Sequence, residues 1–207
     1  NADLQLSNIT LNQKLSELTA LHEIGMALSA TLDLDELLDK TLNAVTTHLS
    51  CDRAMILLVE ERDGHRVLTS GHSIGGTPEM AALTKGLEVS LEEPYSFLAK
   101  IVLSGKPITV RDMDQVTDER ARQYFAALQT HAFLSVPLLA QGNLVGYLGL
   151  DNAVTGRPIP ETIQDLLFTI SAQIAGAIDR ARVYQTLERR VEERTAELAA
   201  ATHRAEH

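Results

Sequence analysis

Apolar residues spaced by three, four and seven positions predict a helix at each end of the chain. Near the start, a leucine recurs every seven residues between polar flanks, which is typical of a helix that packs along another helix. The members of this repeat are Leu4, Leu11 and Leu18. Gly25 and the segment SATLDLDE are expected to interrupt the helix. A second, amphipathic helix follows, with Asp33 or Asp35 as its N-cap.

The pattern changes to strand-like runs from Cys51 onward. RAMILLVEE, RVLTSGHSI and LEVSL have the length and composition of strands, and Asp63-Gly64 between the first two predicts a tight hairpin. Strands are also expected over PITV and on both sides of the QGN turn in LSVPLLAQGNLVGYLGLDN. Pro137 lies in the first strand of that hairpin, so a bulge or an unpaired amide is expected there.

Short helices connect these strands. The sequence predicts one from Pro78 to Lys85, one within PYSFLAKIVLSG that ends near Gly105, and one that begins at a Thr117 or Asp118 cap. This order of elements predicts an α+β fold, in which helices flank a six-stranded antiparallel sheet and long helices form the N and C termini.

The segment after Pro160 has no strong helix breaker and is predicted to be one very long helix. Apolar residues recur along it every seven positions, and beyond Arg182 the large apolar residues are those of this narrow stripe, Leu187 and the adjacent Val183. We interpret the stripe as the seam of a parallel coiled coil in a homodimer. A solvated terminal helix without a partner is the alternative. The residues predicted to form the dimer are Leu4, Leu11, Leu18, Ile170, Ala177, Tyr184, Leu187, Val191 and Leu198.

The chain is therefore expected to have three parts. They are an N-terminal signalling and dimerisation helix over residues 1–24, a compact domain over residues 25–182, and a coiled-coil connector helix over residues 183–207.

The composition narrows the classes of partner. A formal charge of −10 disfavours nucleic acids and anionic lipid surfaces, so no nucleic-acid partner is expected. No apolar run approaches the roughly 20 residues of a membrane-spanning helix, so no membrane insertion is expected. The single cysteine, Cys51, allows no internal disulfide and favours a reducing, cytoplasmic location.

Three segments together resemble the GAF domains of bacterial signalling proteins. They are LDLDELLDKTLNAVTTHLSCDRAMILLVEE, FLAKIVLSGKPITVRDMDQVTDER and LSVPLLAQGNLVGYLGLDNAVTGRPI. The last is the most characteristic, with a Ser-x-x-Pro-Leu strand, a turn, and an apolar strand that ends in Asp-Asn. The stretch LERRVEERTAEL resembles the connector helix that precedes output domains such as histidine kinases or diguanylate cyclases.

The resemblance implies a sensory input module of a signal-transduction protein, for example in a two-component system. Such a module binds a small-molecule ligand between its sheet and the covering helices. It would relay the change through a dimeric coiled coil to an output domain covalently linked beyond His207. A ligand-free dimerisation module is the alternative. By position in the family pattern, the ligand-binding candidates are Phe97, Leu98, Arg111, Asp112, Tyr124, Phe125, Phe133, Ser135 and Tyr147.

Two known classes of GAF ligand, bilins and cyclic nucleotides, fit this sequence poorly, and the ligand and any cofactor stay unidentified. Bilin-binding relatives attach the pigment through a cysteine that typically adjoins a histidine, whereas Cys51 opens a strand and precedes Asp52. Relatives that bind cyclic nucleotides carry an Asn-Lys pair where this chain has Asn152 and Ala153.

No catalytic or metal site is expected. His65 and His72 lie on neighbouring predicted strands and could approach each other, but exposed strand-end histidines are the ordinary interpretation. The sequence has no Gly-x-Ser-x-Gly elbow, phosphate-binding loop or dinucleotide fingerprint. The few GAF-fold proteins that reduce methionine sulfoxide rely on cysteines, and a single cysteine at the start of a strand is poorly suited to that reaction. We therefore expect a protein that is not an enzyme.

Overall fold

The computed structural model describes the backbone of residues 2–92 and 96–205, and the side chains of residues 5, 7–69, 71–92 and 96–198. Six helices and six strands lie in these residues, and they confirm the predicted α+β fold. The helices are α1 (Ala2–Ser29), α2 (Leu34–His48), α3 (Pro78–Lys85), α4 (Phe97–Leu103), α5 (Glu119–Ala127) and α6 (Glu161–Ala205). The strands are β1 (Arg53–Arg62), β2 (His65–Ile74), β3 (Glu88–Ser90), β4 (Ile108–Val110), β5 (Phe133–Ala140) and β6 (Asn143–Asp151).

The strands form one antiparallel sheet with the order β3-β2-β1-β6-β5-β4. Two tight turns join neighbouring strands: Asp63-Gly64 connects β1 to β2, and Gln141-Gly142 connects β5 to β6. All four turn residues have positive φ, as a type I′ hairpin turn requires. Both predicted hairpins are therefore present.

Pro137 is accommodated at a place where β5 needs few hydrogen bonds. It lies opposite Tyr147 of β6, while β4 pairs with β5 only over residues 133–135. The register between β5 and β6 shifts between Leu138 and Leu139. The predicted bulge thus lies one residue beyond the proline.

Alternate residues of the central strands face opposite sides of the sheet, and both sides are apolar. Ile56, Val136 and Leu148 belong to a core that also contains residues of α1, α2 and α6. Leu57 and Phe133, at odd-numbered positions, belong to a second core with residues of α4 and α5. Because neither face can be left in water, the sheet needs a helical layer on each side.

Carboxylates set the starts of two helices. Asp33 caps α2 and Asp118 caps α5, so one residue of each predicted pair is the cap. Asp118 also accepts a hydrogen bond from the backbone N–H of Phe97 at 3.0 Å, which ties α4 to α5. The backbone N–H groups of Ala121 and Phe97 lower the pKa of Asp118.

Helix α1 is longer than the pattern predicts. Gly25 lies inside it, and the helix continues to Ser29. Ala20, Ile24 and Leu28 are buried in the core, and this burial outweighs the roughly 1 kcal/mol that a glycine costs within a helix. The boundary predicted between residues 24 and 25 falls within this continuous helix.

Helix α6 is continuous, as predicted, but its two parts have different surroundings. Ile170 and Ile174 are fully buried, and the buried face ends at Ala181. From residue 183 to residue 198 every side chain is exposed. Ile170 and Ala177 both pack in the core of their own chain. The prediction that these two residues line a dimer seam is therefore corrected.

Two glycines of β6 provide a matched test of this packing. A Cβ at position 146 would lie 2.5 Å from the carbonyl oxygen of Leu57, whereas a Cβ at position 149 would be no closer than 3.6 Å to Met55 Cγ. We expect Gly146→Ala to lower the free energy of unfolding by about 2 kcal/mol or more, because overpacking against backbone cannot relax cheaply. Gly149→Ala should stay within about 1 kcal/mol of the parent. Urea denaturation of both variants measures this difference, and equal losses would contradict the strand spacing described here.

Candidate functional site

A cavity of about 80 Å³ lies between the odd-numbered face of the sheet and helices α3, α4 and α5. A water molecule needs about 10–15 Å³ of such space, so there is room for several waters or one small organic molecule. The strands contribute Met55, Leu57, Phe133, Ser135, Tyr147 and Gly149 to the lining. The helices contribute Met80, Ala81, Thr84, Leu98, Tyr124 and Phe125.

Aromatic side chains are concentrated at this cavity. The chain has four Phe and four Tyr residues, and half of these eight line the cavity. Phe125 stacks on Phe133 with ring centroids 4.8 Å apart, and Tyr124 meets Phe125 edge-on at 5.7 Å. Because these rings pack on one another, the walls are both apolar and stiff.

The hydroxyl of Tyr124 has no hydrogen-bond partner. It is the one buried side-chain nitrogen or oxygen atom without a partner among the side chains that the structure describes. Burial raises the pKa of Tyr124, and the Thr84 side chain, which approaches the hydroxyl without making a well-formed hydrogen bond to it, lowers the pKa in part. Thr84 donates its own proton to the carbonyl oxygen of Met80 at 2.9 Å. A buried hydroxyl left without a partner costs about 1–3 kcal/mol.

The hydroxyls of Tyr147 and Ser135 instead bond to each other across β6 and β5. Tyr147 is 4% exposed and Ser135 1%, so this pair lies on the floor of the cavity, away from water. Burial raises the pKa of Tyr147 far above its ordinary value. Both groups are therefore neutral at any physiological pH.

Arg53 and Asp151 close one end of the cavity with a buried ion pair. Arg53 Nε donates to Asp151 Oδ1 at 2.8 Å, and Nη2 donates to Oδ2 at 2.6 Å. The remaining N–H groups donate to the Leu128 carbonyl at 2.7 Å, Thr130 Oγ1 at 2.9 Å and Met80 Sδ at 3.1 Å. This network joins β1, β6, α3 and the segment that enters β5.

Asn152, the second residue of the Asp-Asn pair at the end of β6, makes two hydrogen bonds to the backbone of neighbouring loops. Its Oδ1 accepts from the backbone N–H of Asp52 at 2.9 Å, and its Nδ2 donates to the carbonyl of Arg157 at 3.1 Å. Asp52 in turn accepts from the backbone N–H of Thr155 at 2.6 Å. The loop after β6 is thereby fastened to the start of β1.

Six of the nine predicted ligand-binding residues line the cavity, and three do not. The six are Leu98, Tyr124, Phe125, Phe133, Ser135 and Tyr147. Phe97 packs edge-on against Phe125 from behind the wall. Arg111 is exposed and donates to Glu161 at 2.6 Å, while Asp112 caps a short 3₁₀ turn. The loop that carries Arg111 and Asp112 therefore lies away from this cavity.

Sequence reasoning missed the charged pair and the methionines of the lining. Arg53 and Asp151 are 98 positions apart, and only the antiparallel pairing of β1 with β6 brings them opposite each other. The one signal in the sequence was that Arg53 and Asp151 are charged residues at the ends of otherwise apolar strands. Met80 lies on a helix that was predicted correctly, but nothing in its spacing indicated that α3 covers the sheet.

The other candidate groups are separate from the cavity. His65 and His72 lie on the same strand, β2, and not on neighbouring strands as predicted. Each contacts a carboxylate: His65 Nδ1 lies 2.5 Å from Glu92, and His72 Nδ1 lies 2.6 Å from Asp39. No cluster of His, Cys, Asp and Glu suited to a metal ion occurs in the described part of the chain. Burial raises the pKa of Cys51 to about 12, so its thiol stays protonated at neutral pH.

The terminal helices carry most of the exposed apolar surface. Fifteen large apolar side chains of the described residues are exposed, of which five lie on α1 and six on α6. Of the predicted dimer residues, the exposed ones are Leu11, Leu18, Tyr184, Leu187, Val191 and Leu198. Leu4 lies in α1, but its side chain is outside those described.

Comparison with known proteins identifies a family and a set of structures with the same fold. The family model of the GAF domain matches residues 33–178. No curated protein matches the chain by sequence. Within the part of the chain that the structure describes, no helix is long and apolar enough to cross a membrane.

Three solved structures illustrate the likeness. The GAF domain of an Acinetobacter phosphoenolpyruvate-protein phosphotransferase is 22% identical, with a TM-score of 0.63, over 82% of this chain and 97% of its own. Residues 122 to 287 of a methyl-accepting chemotaxis protein are 20% identical, with a TM-score of 0.62, over 78% and 98%. The free methionine-R-sulfoxide reductase of Neisseria meningitidis is 15% identical, with a TM-score of 0.63, over 81% and 91%. At these identities the likeness establishes the fold alone.

The buried ion pair gives a direct test of the site's architecture. We expect Asp151→Asn to lower the free energy of unfolding by about 3 kcal/mol, because it leaves the buried Arg53 guanidinium without a counter-charge. The matched control is Glu88→Gln, which removes the carboxylate 2.6 Å from Arg62 in a pair that is about half exposed. That change should cost under about 1 kcal/mol. Chemical denaturation measures both values, and similar losses would show that the Arg53 network does not stabilise the cavity wall.

Proposed function

This chain belongs to the GAF domain family, and we propose that it is a sensory input module that binds a small molecule in its cavity. The bound state is relayed through the terminal helices of a homodimer to an output domain linked beyond His207. The output is of the kind found in histidine kinases or diguanylate cyclases, and the module works without catalysis in the cytoplasm. Signal transduction is the usual role of this family.

The observation that carries the proposal is the buried, unpartnered hydroxyl of Tyr124, a residue whose side chain lines an apolar cavity. A buried polar atom without a partner in a native structure calls for an explanation, such as a bound water or ligand. Ligand sites are typically apolar concavities with a few well-placed polar groups. This cavity has that composition, and a ligand that bonds to Tyr124 would remove the penalty.

The strands β5 and β6 link the cavity to the signalling helix. Ser135 and Gly149 face the cavity, while the adjacent Val136 and Leu148 face the core shared with α6. A ligand that displaces the cavity face therefore displaces the opposite face as well, because the two share one backbone. Arg182 adds a further link, since its Nη1 donates to the carbonyl of Val145 at 3.4 Å where α6 leaves the domain.

A second copy is the partner that the exposed stripe of α6 fits best. Tyr184, Val191 and Leu198 continue the seven-residue repeat, Leu187 lies beside it, and Val183 is the other large apolar side chain exposed on this part of the helix. A stripe two residues wide in seven is suited to another helix and is too narrow to cover a globular surface. If the stripes of two copies packed against each other, the output domains would lie side by side.

A ligand-free dimerisation module is the second candidate. The favouring observation is the size of the cavity, since about 80 Å³ is well below the roughly 300–1,000 Å³ of sites for drug-sized ligands. In that case the cavity would hold only water, and filling it would leave the helices unchanged.

Dimerisation is tested by a charge placed on the stripe. We expect Val191→Glu to convert a dimer into a monomer, because it places a carboxylate at the centre of the apolar seam. Gln185→Glu is the matched control, since it adds the same charge at an outward position of the same helix. Analytical ultracentrifugation of the whole chain gives the masses. A parent protein that is already monomeric, or a Val191→Glu variant that stays dimeric, would contradict the seam.

Relay from the cavity is tested by filling it with a side chain. Gly149 lies on the cavity floor, where a Cβ would make only ordinary contacts with Met55 Cγ at 3.6 Å and Ser135 Cβ at 3.9 Å, so Gly149→Leu mimics an occupied site. Spin labels on Gln185→Cys report the distance between the two α6 helices, while the buried Cys51 thiol stays unlabelled. We expect Gly149→Leu to shift the interlabel distance distribution, because a filled cavity would favour one packing of the α6 helices over another and so change their populations.

The control for that experiment is Ala127→Leu, which places the same leucine side chain on an exposed face of α5. It should leave the distribution unchanged. If Gly149→Leu also leaves it unchanged in a folded dimer, the ligand-free module is the better description.

A further inference from the structure

We infer that the cavity selects a neutral, ring-sized molecule with one hydrogen-bonding group, received by the hydroxyl of Tyr124, and that it rejects organic anions. This inference rests on the proposed ligand-binding function and defines its ligand class. Three properties of the lining carry it: the state of its charges, the state of its hydroxyls, and its shape.

The charged groups of the lining pair with each other, and their hydrogen-bonding capacity is satisfied within the protein. Arg53 and Asp151 are the two formally charged residues among those that line the cavity. A guanidinium has five N–H donors, and all five of Arg53 are engaged by Asp151, Leu128, Thr130 and Met80. A carboxylate or phosphate that entered would have to displace one of these partners, and it would otherwise be buried without a counter-charge.

Asp151 is equally occupied, so an organic cation finds no free carboxylate. Its Oδ1 accepts from Arg53 Nε and from the backbone N–H of Ala153 at 3.1 Å. Its Oδ2 accepts from Arg53 Nη2 and from Thr130 Oγ1 at 3.1 Å. The pair is therefore electrically neutral as a whole. A charged ligand that entered the cavity would lose its hydration without gaining a free counter-charge.

Tyr124 is the buried polar group left for a ligand, whereas Ser73, which also lines the cavity, is exposed to solvent. Thr84 donates to the Met80 carbonyl, Thr130 donates to Asp151, and Ser135 bonds to Tyr147. The Tyr124 hydroxyl has no such partner, and because it is neutral at pH 7 it can either donate or accept. One hydrogen bond from the ligand would satisfy it.

The shape favours a planar ring. About 80 Å³ of space limits the ligand to roughly a single ring, and the walls carry the stacked rings of Phe125 and Phe133 together with Tyr124 and Tyr147. Aromatic walls attract aromatic ligands in offset-stacked or edge-on contacts. Met55 and Met80 also line the cavity, and their flexible side chains can adjust to the outline of a ring.

Two pairs of matched probes test the inference on the whole chain. Phenol and toluene have the same shape and differ by the hydroxyl, while benzamide and benzoate have the same shape and differ by the negative charge. Dissociation constants come from titrations followed by protein NMR at pH 7.5. We expect phenol to bind about five- to tenfold more tightly than toluene, and benzamide at least about tenfold more tightly than benzoate.

Variants assign these preferences to the residues named. Tyr124→Phe should reduce the advantage of phenol over toluene to about onefold, with toluene binding retained. Thr169→Val also removes one hydroxyl, which donates to the Asp165 carbonyl on α6 away from the cavity, and it should leave the advantage intact. Gly149→Leu should abolish binding of all four probes, which locates them in the cavity.

The outcomes separate this inference from the proposed function. If benzoate binds in the cavity as tightly as benzamide, the inferred ligand class is wrong while ligand binding stands. If the advantage of phenol survives Tyr124→Phe, the role of Tyr124 is wrong. If no probe binds at millimolar concentration, the inference fails, and the spin-label experiment on Gly149→Leu still decides whether the cavity is coupled to α6.

Discussion

A sheet that is apolar on both faces must be covered on both faces, and most of this molecule follows from that constraint. Strands β1, β5 and β6 place large apolar side chains alternately on each side, so one layer of helices cannot complete the fold. The two layers differ in kind. The long helices α1, α2 and α6 cover one face and leave a dense core in which Ile24, Ile174 and Leu148 are fully buried. The short helices α3, α4 and α5 and their loops cover the other face.

The short-helix layer leaves the cavity because short helices cannot match the length of the strands beneath them. Where this cover ends, the ion pair of Arg53 and Asp151 takes its place and fastens α3 and the segment before β5 to the sheet. An ion pair at that position needs partners for every donor, since a half-satisfied buried charge would be destabilising. The same saturation that stabilises the wall also removes the charges from the chemistry available to a ligand. Stability of the wall and neutrality of the site therefore have one cause.

Local patterns predicted the elements well because their signals are local. The alternating strands, the Asp63-Gly64 turn and the long helix after Pro160 are each specified within a short window of sequence, and the structure confirms them. The errors arose where distant packing decides. Gly25 was expected to interrupt α1, but Ile24 and Leu28, on either side of it, are buried in the core. Six of the nine expected lining residues face the cavity because strand alternation and helix spacing fix their side. The polar end of the site depends on pairing between β1 and β6, which no short window contains.

The long helix shows how one repeat can serve two different contacts. Up to Ala181 its apolar positions include neighbours of the repeat, such as Ile174 and Ile178, and this broad face packs in the domain core. Beyond that point only a narrow stripe of apolar side chains continues, and exposed pairs such as Arg189 with Glu193 and Arg194 with Glu197 add only tenths of a kcal/mol each. A helix extended so far from any core is marginal in water on propensity alone. The buried half supplies a nucleated helix, and a second copy along the narrow stripe would supply the stability that the exposed half lacks. Any change in how the buried half packs on β5 and β6 would then be transmitted along a helix with no break in its hydrogen bonding.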